Sequence, residues 1–228
     1  MGIPQHYSRD VPQRCEALIE ELLPIVEGGL RADAKFGGPL KTTLLLALAT
    51  PMVVLPVERI FKRVAFNDPG VADDRGIDEA LARGVKSVLG EDHAFGGAPF
   101  GSRRWTYAER VGPFNVGQQW PEDLLDQLGT EAAREAAERA PTWRILQDLR
   151  NALAHGGVAY LDAVGRASEG AAEMLAFAGA VTRGHNVVGL NVLRVHKDDF
   201  RSFLSAWAAW LKEVGVAEAL GDTPPLAA

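Results

Sequence analysis

In Leu149-Arg150-Asn151-Ala152-Leu153-Ala154-His155-Gly156-Gly157, an arginine, an amide and a histidine stand close enough to share one helix. Cleavage of RNA by its own 2′-hydroxyl needs a proton acceptor, a proton donor for the leaving oxygen, and positive charge beside the phosphorus. Histidine, with a reference pKa of about 6.5, serves either proton role near neutral pH. Arginine stays protonated and offers phosphate oxygens a planar fork of donors. Held in place, it stabilises charge that grows in the transition state. Arg150 and His155 are therefore the candidate catalytic pair. Asn151 precedes His155 by one helical turn, so it is the candidate for orienting the imidazole or holding substrate. A helix's last turn favours a cation, which suits His155 as an acid or phosphate contact better than as a base. With 5 His in 228 residues, an Arg five places before a His arises by chance about 0.4 times; with Asn directly after the Arg, about 0.01 times.

The segment carrying these residues opens at Pro141, a favoured first-turn residue, and stops at paired glycines. At about 100° per residue, Trp143, Leu146, Leu149 and Leu153 share an apolar arc. Arg144, Asp148, Asn151 and His155 share the opposite, polar arc, with Arg150 at the seam. Arg144 is thereby a candidate substrate-binding cation.

Arg-Asn-x-x-x-His at the end of an amphipathic helix resembles the signature of the HEPN superfamily (higher eukaryote and prokaryote nucleotide-binding domains). The likeness is strong over Arg150 to Gly157 and extends to the helical frame around it. It implies a helical bundle, usually dimeric, in which two motifs meet across the interface. It also implies a metal-independent ribonuclease without a cofactor, of the kind found in toxin–antitoxin and phage-defence systems. Its partners would be an RNA substrate, a second copy of the chain, and an antitoxin or nucleotidyltransferase. A two-fold interface would bring two Arg150 and two His155 together. Some family toxins carry, two residues after the histidine, a tyrosine that a nucleotidyltransferase modifies. Gly157 stands there instead, and the nearest tyrosine is Tyr160. Two alternatives use the same residues. In one, a non-catalytic HEPN-like module binds a nucleotide or a partner protein. In the other, a helical interaction protein uses His155 as a helix cap and Arg150 in a surface ion pair.

Composition fits a single domain spanning 1–228, with 47% hydrophobic and 24% charged residues. A net charge of −6 excludes a general nucleic-acid coat but permits a local basic site. Cys15 is the only cysteine, so neither a disulfide framework nor a cysteine-based zinc site is available. A cytoplasmic, reducing setting is the simplest expectation. No signal or myristoylation pattern opens the chain. The apolar run 44–57, broken by Pro51 and Pro56, is shorter than a bilayer span and predicts a buried, kinked helix rather than a membrane anchor.

A first helix is expected over about 10–27, with Ser8 or Asp10 as N-cap and Cys15, Leu18, Ile19, Leu22 and Val26 as core. Gly37-Gly38-Pro39 opens a second helical region over about 40–64. It is no phosphate loop, since Leu40 replaces the glycine required before Lys41. A third helix covers about 77–89, and 91–119 reads as irregular. There, Arg103 and Arg104 beside Trp105 are candidates to hold a phosphate and stack a base; solvated arginines beside an anchoring tryptophan are the plainer account. Glu91, Asp92 and His93 are a weak metal set, and no metal site is expected. Two short helices occupy about 121–140. Strands follow at 158–162, 174–181 and 187–195, with Arg183, Gly184 and His185 at a hairpin tip. A final helix over about 197–214 buries Phe200, Phe203, Leu204, Trp207 and Leu211 and leaves Trp210 at the edge, a candidate dimer contact. His196 with Asp198 and Asp199 marks a helix start rather than a metal cluster. Residues 221–228 read as a tail. The expected fold is mainly α: a HEPN-like helical bundle with a small β-hairpin or sheet inserted at about 158–195, before the C-terminal helix.

Overall fold

The computed structural model describes residues 3–36, 40–89, 94–97, 100–101, 104–118, 120–167 and 172–219. Arg103, Glu91-Asp92-His93, Gly37-Gly38-Pro39 and the 221–228 segment lie outside them.

Helix α1 (Tyr7–Glu27) begins before the expected cap. Ser8 is not a cap because a distant carboxylate claims it: its N–H and hydroxyl both donate to Asp74, at 3.0 and 2.7 Å. Arg59 donates to the same carboxylate at 2.6 and 2.9 Å. Burial alone would raise the Asp74 carboxyl, but the bonds from Arg59 and Ser8 outweigh it and hold it below its ordinary value. Asp10 instead accepts from the Gln5 and His6 N–H groups. Cys15, Ile19 and Val26 are buried as expected, whereas Leu18 and Leu22 are exposed, so the core stripe is narrower than predicted. Burial also pushes the Cys15 thiol up, as fits a core residue.

After the short α2 (Asp33–Phe36), α3 (Lys41–Pro56), a π-helical turn (Val57–Phe61) and α4 (Lys62–Phe66) form one uninterrupted helix. The helical region expected over about 40–64 is thus present, and directly after Pro56 it continues as the π turn. Pro56 has no N–H to give the Met52 carbonyl one turn back. Trp207 supplies the donor instead, its Nε1–H reaching the Met52 oxygen at 2.8 Å. The wide turn then accommodates the ring. The helix extends beyond the apolar run 44–57: within the 26 residues Lys41–Phe66 an 18-residue window reaches mean hydropathy 1.8, enough by length and composition alone to cross a bilayer. Here Leu45, Ala49, Met52, Val53, Ile60 and Phe61 are buried in the protein core. Replacing Trp207 by Phe strands the Met52 carbonyl and is expected to cost about 1–3 kcal/mol, read as a lower urea midpoint at unchanged slope.

Helix α5 (Glu79–Val88) is capped by Asp78, which accepts from the Leu81 N–H. The stretch expected to be irregular holds a strand, β1 (Thr106–Val111). Helices α6 (Glu122–Leu128), α7 (Glu131–Arg139) and α8 (Thr142–His155) precede β2 (Val158–Leu161), β3 (Met174–Arg183) and β4 (Asn186–His196), and α9 (Lys197–Ala219) closes the fold. Among the described residues the strands form an antiparallel sheet of order β1-β4-β3-β2. The fold is thus mainly helical with the expected sheet before the last helix, but one edge strand comes from ahead of the motif helix. Arg183 and Asn186 do pair at a hairpin tip, where Gly184 takes φ 62°.

Strand alternation sorts the sheet's two faces. Leu175, Phe177, Leu193 and Val195 join the helical core, while Ala176, Ala178, Leu190 and Val192 pack with Trp120, Leu124, Leu125 and Leu128 around α6. Trp210 is buried against Phe61, Phe100 and Trp207, so it is core and not an edge contact.

Candidate functional site

Helix α8 starts after Pro141 and ends at Gly156, which takes the left-handed conformation (φ 73°). Its fellow Gly157 lies flush on β3: its carbonyl accepts from the Ala178 N–H at 2.7 Å, and an added Cβ would run into the Ala178 carbonyl. That contact explains why no tyrosine stands at 157. The glycine pair thus ends the helix and ties its last turn, with His155, to the sheet.

Arg150 is half-buried and faces the π-helical turn. Its Nε lies 2.5 Å from Oε1 of Glu58, an ion pair without hydrogen-bond alignment. Its Nη1 donates to Oδ1 of Asn151 at 2.7 Å. A π turn carries an extra residue, which rotates the next helical turn relative to an unbroken α-helix, and such turns are often found at functional sites. Glu58 sits inside that turn. Lys62 is a further, weaker neighbour of Glu58, at 3.5 Å. Asn151 therefore engages the arginine, not the imidazole. His155 is exposed and, among the described residues, its side chain makes no hydrogen bond or ion pair. It does not cap its helix.

The polar arc proves to be only partly solvent-facing. Arg144 is exposed, with Nη1 3.9 Å from Oε1 of Glu109 on β1. Asp148, one turn on, is buried against the sheet. The Asn191 amide donates to both its oxygens, at 3.2 and 3.1 Å. Glu109, Asn191 and Gly179 form one cross-strand row beneath it. Gly179 makes the room, since a Cβ there would stand 2.8 Å from Asp148 Oδ1. Desolvation outweighs the Asn191 bonds and the nearby Arg144, raising the Asp148 carboxyl from 3.8 to about 6. Burial, with Asp148 and Glu109 as charged neighbours, likewise pushes the Tyr107 hydroxyl up.

The remaining candidates are not gathered here. Arg104 is exposed, 3.5 Å from Asp199, and lines a different cavity with Thr106 and His196. Trp105 is fully buried among Phe95, Phe177, Phe200 and Phe203, so it cannot stack a base. Among the described residues no group of three or more His, Cys, Asp or Glu is placed to hold a metal; His196 meets Glu173 and Asp198 at 3.6 and 3.5 Å. Sequence reasoning missed Glu58, whose only signal was a lone carboxylate closing a long apolar run. Compared with known protein families, curated proteins and solved structures, the chain finds no match.

Proposed function

We propose that this chain is a metal-independent endoribonuclease of HEPN type, acting at a homodimer interface on RNA. Arg150 binds the scissile phosphate, His155 moves protons, and Asn151 and Glu58 set the plane of the guanidinium. The observation that carries this reading is the arginine held from two sides, by Glu58 at Nε and Asn151 at Nη1, while Nη2 donates no hydrogen bond among the described residues. Such preorganisation is what stabilises transition-state charge. One helix supplies one histidine, whereas cleavage needs both a base and an acid. Two copies about a two-fold axis supply both.

In the step itself the 2′-hydroxyl loses its proton to one imidazole and its oxygen attacks phosphorus. The bond to the 5′-oxygen breaks, and that oxygen takes a proton from the other imidazolium. The products are a 2′,3′-cyclic phosphate and a 5′-hydroxyl. Mass spectrometry of cleaved oligoribonucleotides is expected to find those ends, and 3′-hydroxyl ends would count against the step. A toxin or defence setting, with an antitoxin or nucleotidyltransferase partner, follows from the family resemblance. The second reading, a non-catalytic nucleotide-binding module, draws on the same ion pair, since Glu58 offsets the charge of Arg150 before any phosphate arrives.

A further inference from the structure

Beside the motif, α4 and α8 border a cleft whose walls include Lys62, Phe66, Trp143, Gln147, Arg150 and Asn151. It encloses about 30 Å³, room for about one water. A larger ligand has to lie across its mouth. Phe66 stands at that mouth with 58% of its surface exposed, on the last residue of α4 before Asn67 turns the chain in the left-handed conformation. The Trp143 ring, itself only half-buried, meets Phe66 at 6.2 Å and 78°. Folding has therefore left two aromatic faces partly in water next to the candidate catalytic arginine.

The company these rings keep identifies the ligand chemistry. The apolar part of the lining, Val57, Phe61 and Leu146, is at most 5% exposed and offers an apolar protein segment little surface, whereas the other neighbours of the rings are two cations, Lys62 and Arg150, the Glu58 carboxylate they share, and two amides, Gln147 and Asn151. A nucleotide uses all three kinds of group: its base stacks on aromatic rings, the base edge bonds to amides, and its phosphate meets cations. Bases inside a duplex are already stacked, so the strand has to be single.

We propose that this cleft mouth is a nucleobase subsite. The base adjoining the scissile phosphate of single-stranded RNA stacks on the exposed Phe66 ring, with Trp143 set at 78° beside it and the Gln147 amide at its edge. The identity of the strand rests on the ribonuclease reading above.

The test measures binding of a short fluorescent single-stranded RNA, and of the same backbone made abasic, to full-length protein carrying His155→Ala to stop turnover. Stacking contributes about 1–3 kcal/mol per base, or about 5- to 150-fold in affinity. Phe66→Ala is expected to weaken the intact RNA by about tenfold and leave the abasic strand unchanged, while Phe66→Trp restores the difference. Phe66 is exposed, so thermal melting should register little change. If Phe66→Ala binds both strands as its parent does, the subsite is wrong, whether the occupant of the mouth is a bare phosphate or a protein. Cleavage by otherwise wild-type protein separates the two claims. Cleavage with an unchanged KM in Phe66→Ala would refute the subsite and spare the ribonuclease; neither cleavage nor binding in the wild type would refute both.

Discussion

Arg150→Ala is expected to slow RNA cleavage by about 10²- to 10³-fold, the loss typical of removing one preorganised donor from a transition state. Arg150→Lys should recover little of it. Lysine keeps the charge but presents no planar fork, so it cannot meet Glu58 through Nε and Asn151 through Nη1 together. The fold should survive both changes. The Glu58–Arg150 pair is partly solvated, with a quarter or less of each side chain exposed, and Lys62 stands 3.5 Å from the carboxylate that would be left behind. A stability cost of about 1 kcal/mol is therefore expected, to be checked by urea unfolding before rates are compared. Glu58→Gln tests positioning rather than charge supply: it should lower kcat while KM moves little. An unchanged rate in folded Arg150→Ala would remove Arg150 from the site.

The second large effect is on stability. Asp148→Asn should make the protein more stable at pH 7.5 and no more stable at pH 4. The sign comes from the raised carboxyl. Folding buries Asp148 and favours its neutral form, so its favourable contribution is full below about 3.8, the ordinary value, and is lost as pH rises to about 6. A shift of about two units corresponds to about 3 kcal/mol at most. Asparagine mimics the neutral acid in size, and the Asn191 amide can turn to accept from it. Urea unfolding of both proteins from pH 4 to 8 reads the difference directly. Asp74 and Asp10, held low in the fold, destabilise both proteins as pH falls, and that effect cancels in the comparison. A difference that stays flat across this range would show that Asp148 is not the group described.

Periodicity made much of the architecture readable. Leu146 and Leu149 pointed to the core, the glycine pair to the end of α8, and the short runs 174–181 and 187–195, set off by glycine and polar turns, to a hairpin. What escaped was long-range. β1 hides because Glu109 and Arg110 dilute its strand signal and its partner β4 lies far along the chain. Ser8 looked like a cap because nothing local reveals Asp74 as its partner. Asp148 looked solvent-facing because a helical wheel knows nothing of the sheet laid against that arc, nor of Gly179 making room for a carboxylate. Within the candidate site, Arg150, Asn151 and His155 were legible from spacing alone, whereas Glu58 and Phe66 enter through the packing of another helix.

The most direct measurement of the central claim is cleavage of mixed RNA by purified protein in EDTA, comparing the wild type with His155→Ala after melting curves confirm that both are folded. The account predicts cleavage by the wild type and none by the variant. Equal cleavage by both would place the activity elsewhere and contradict it.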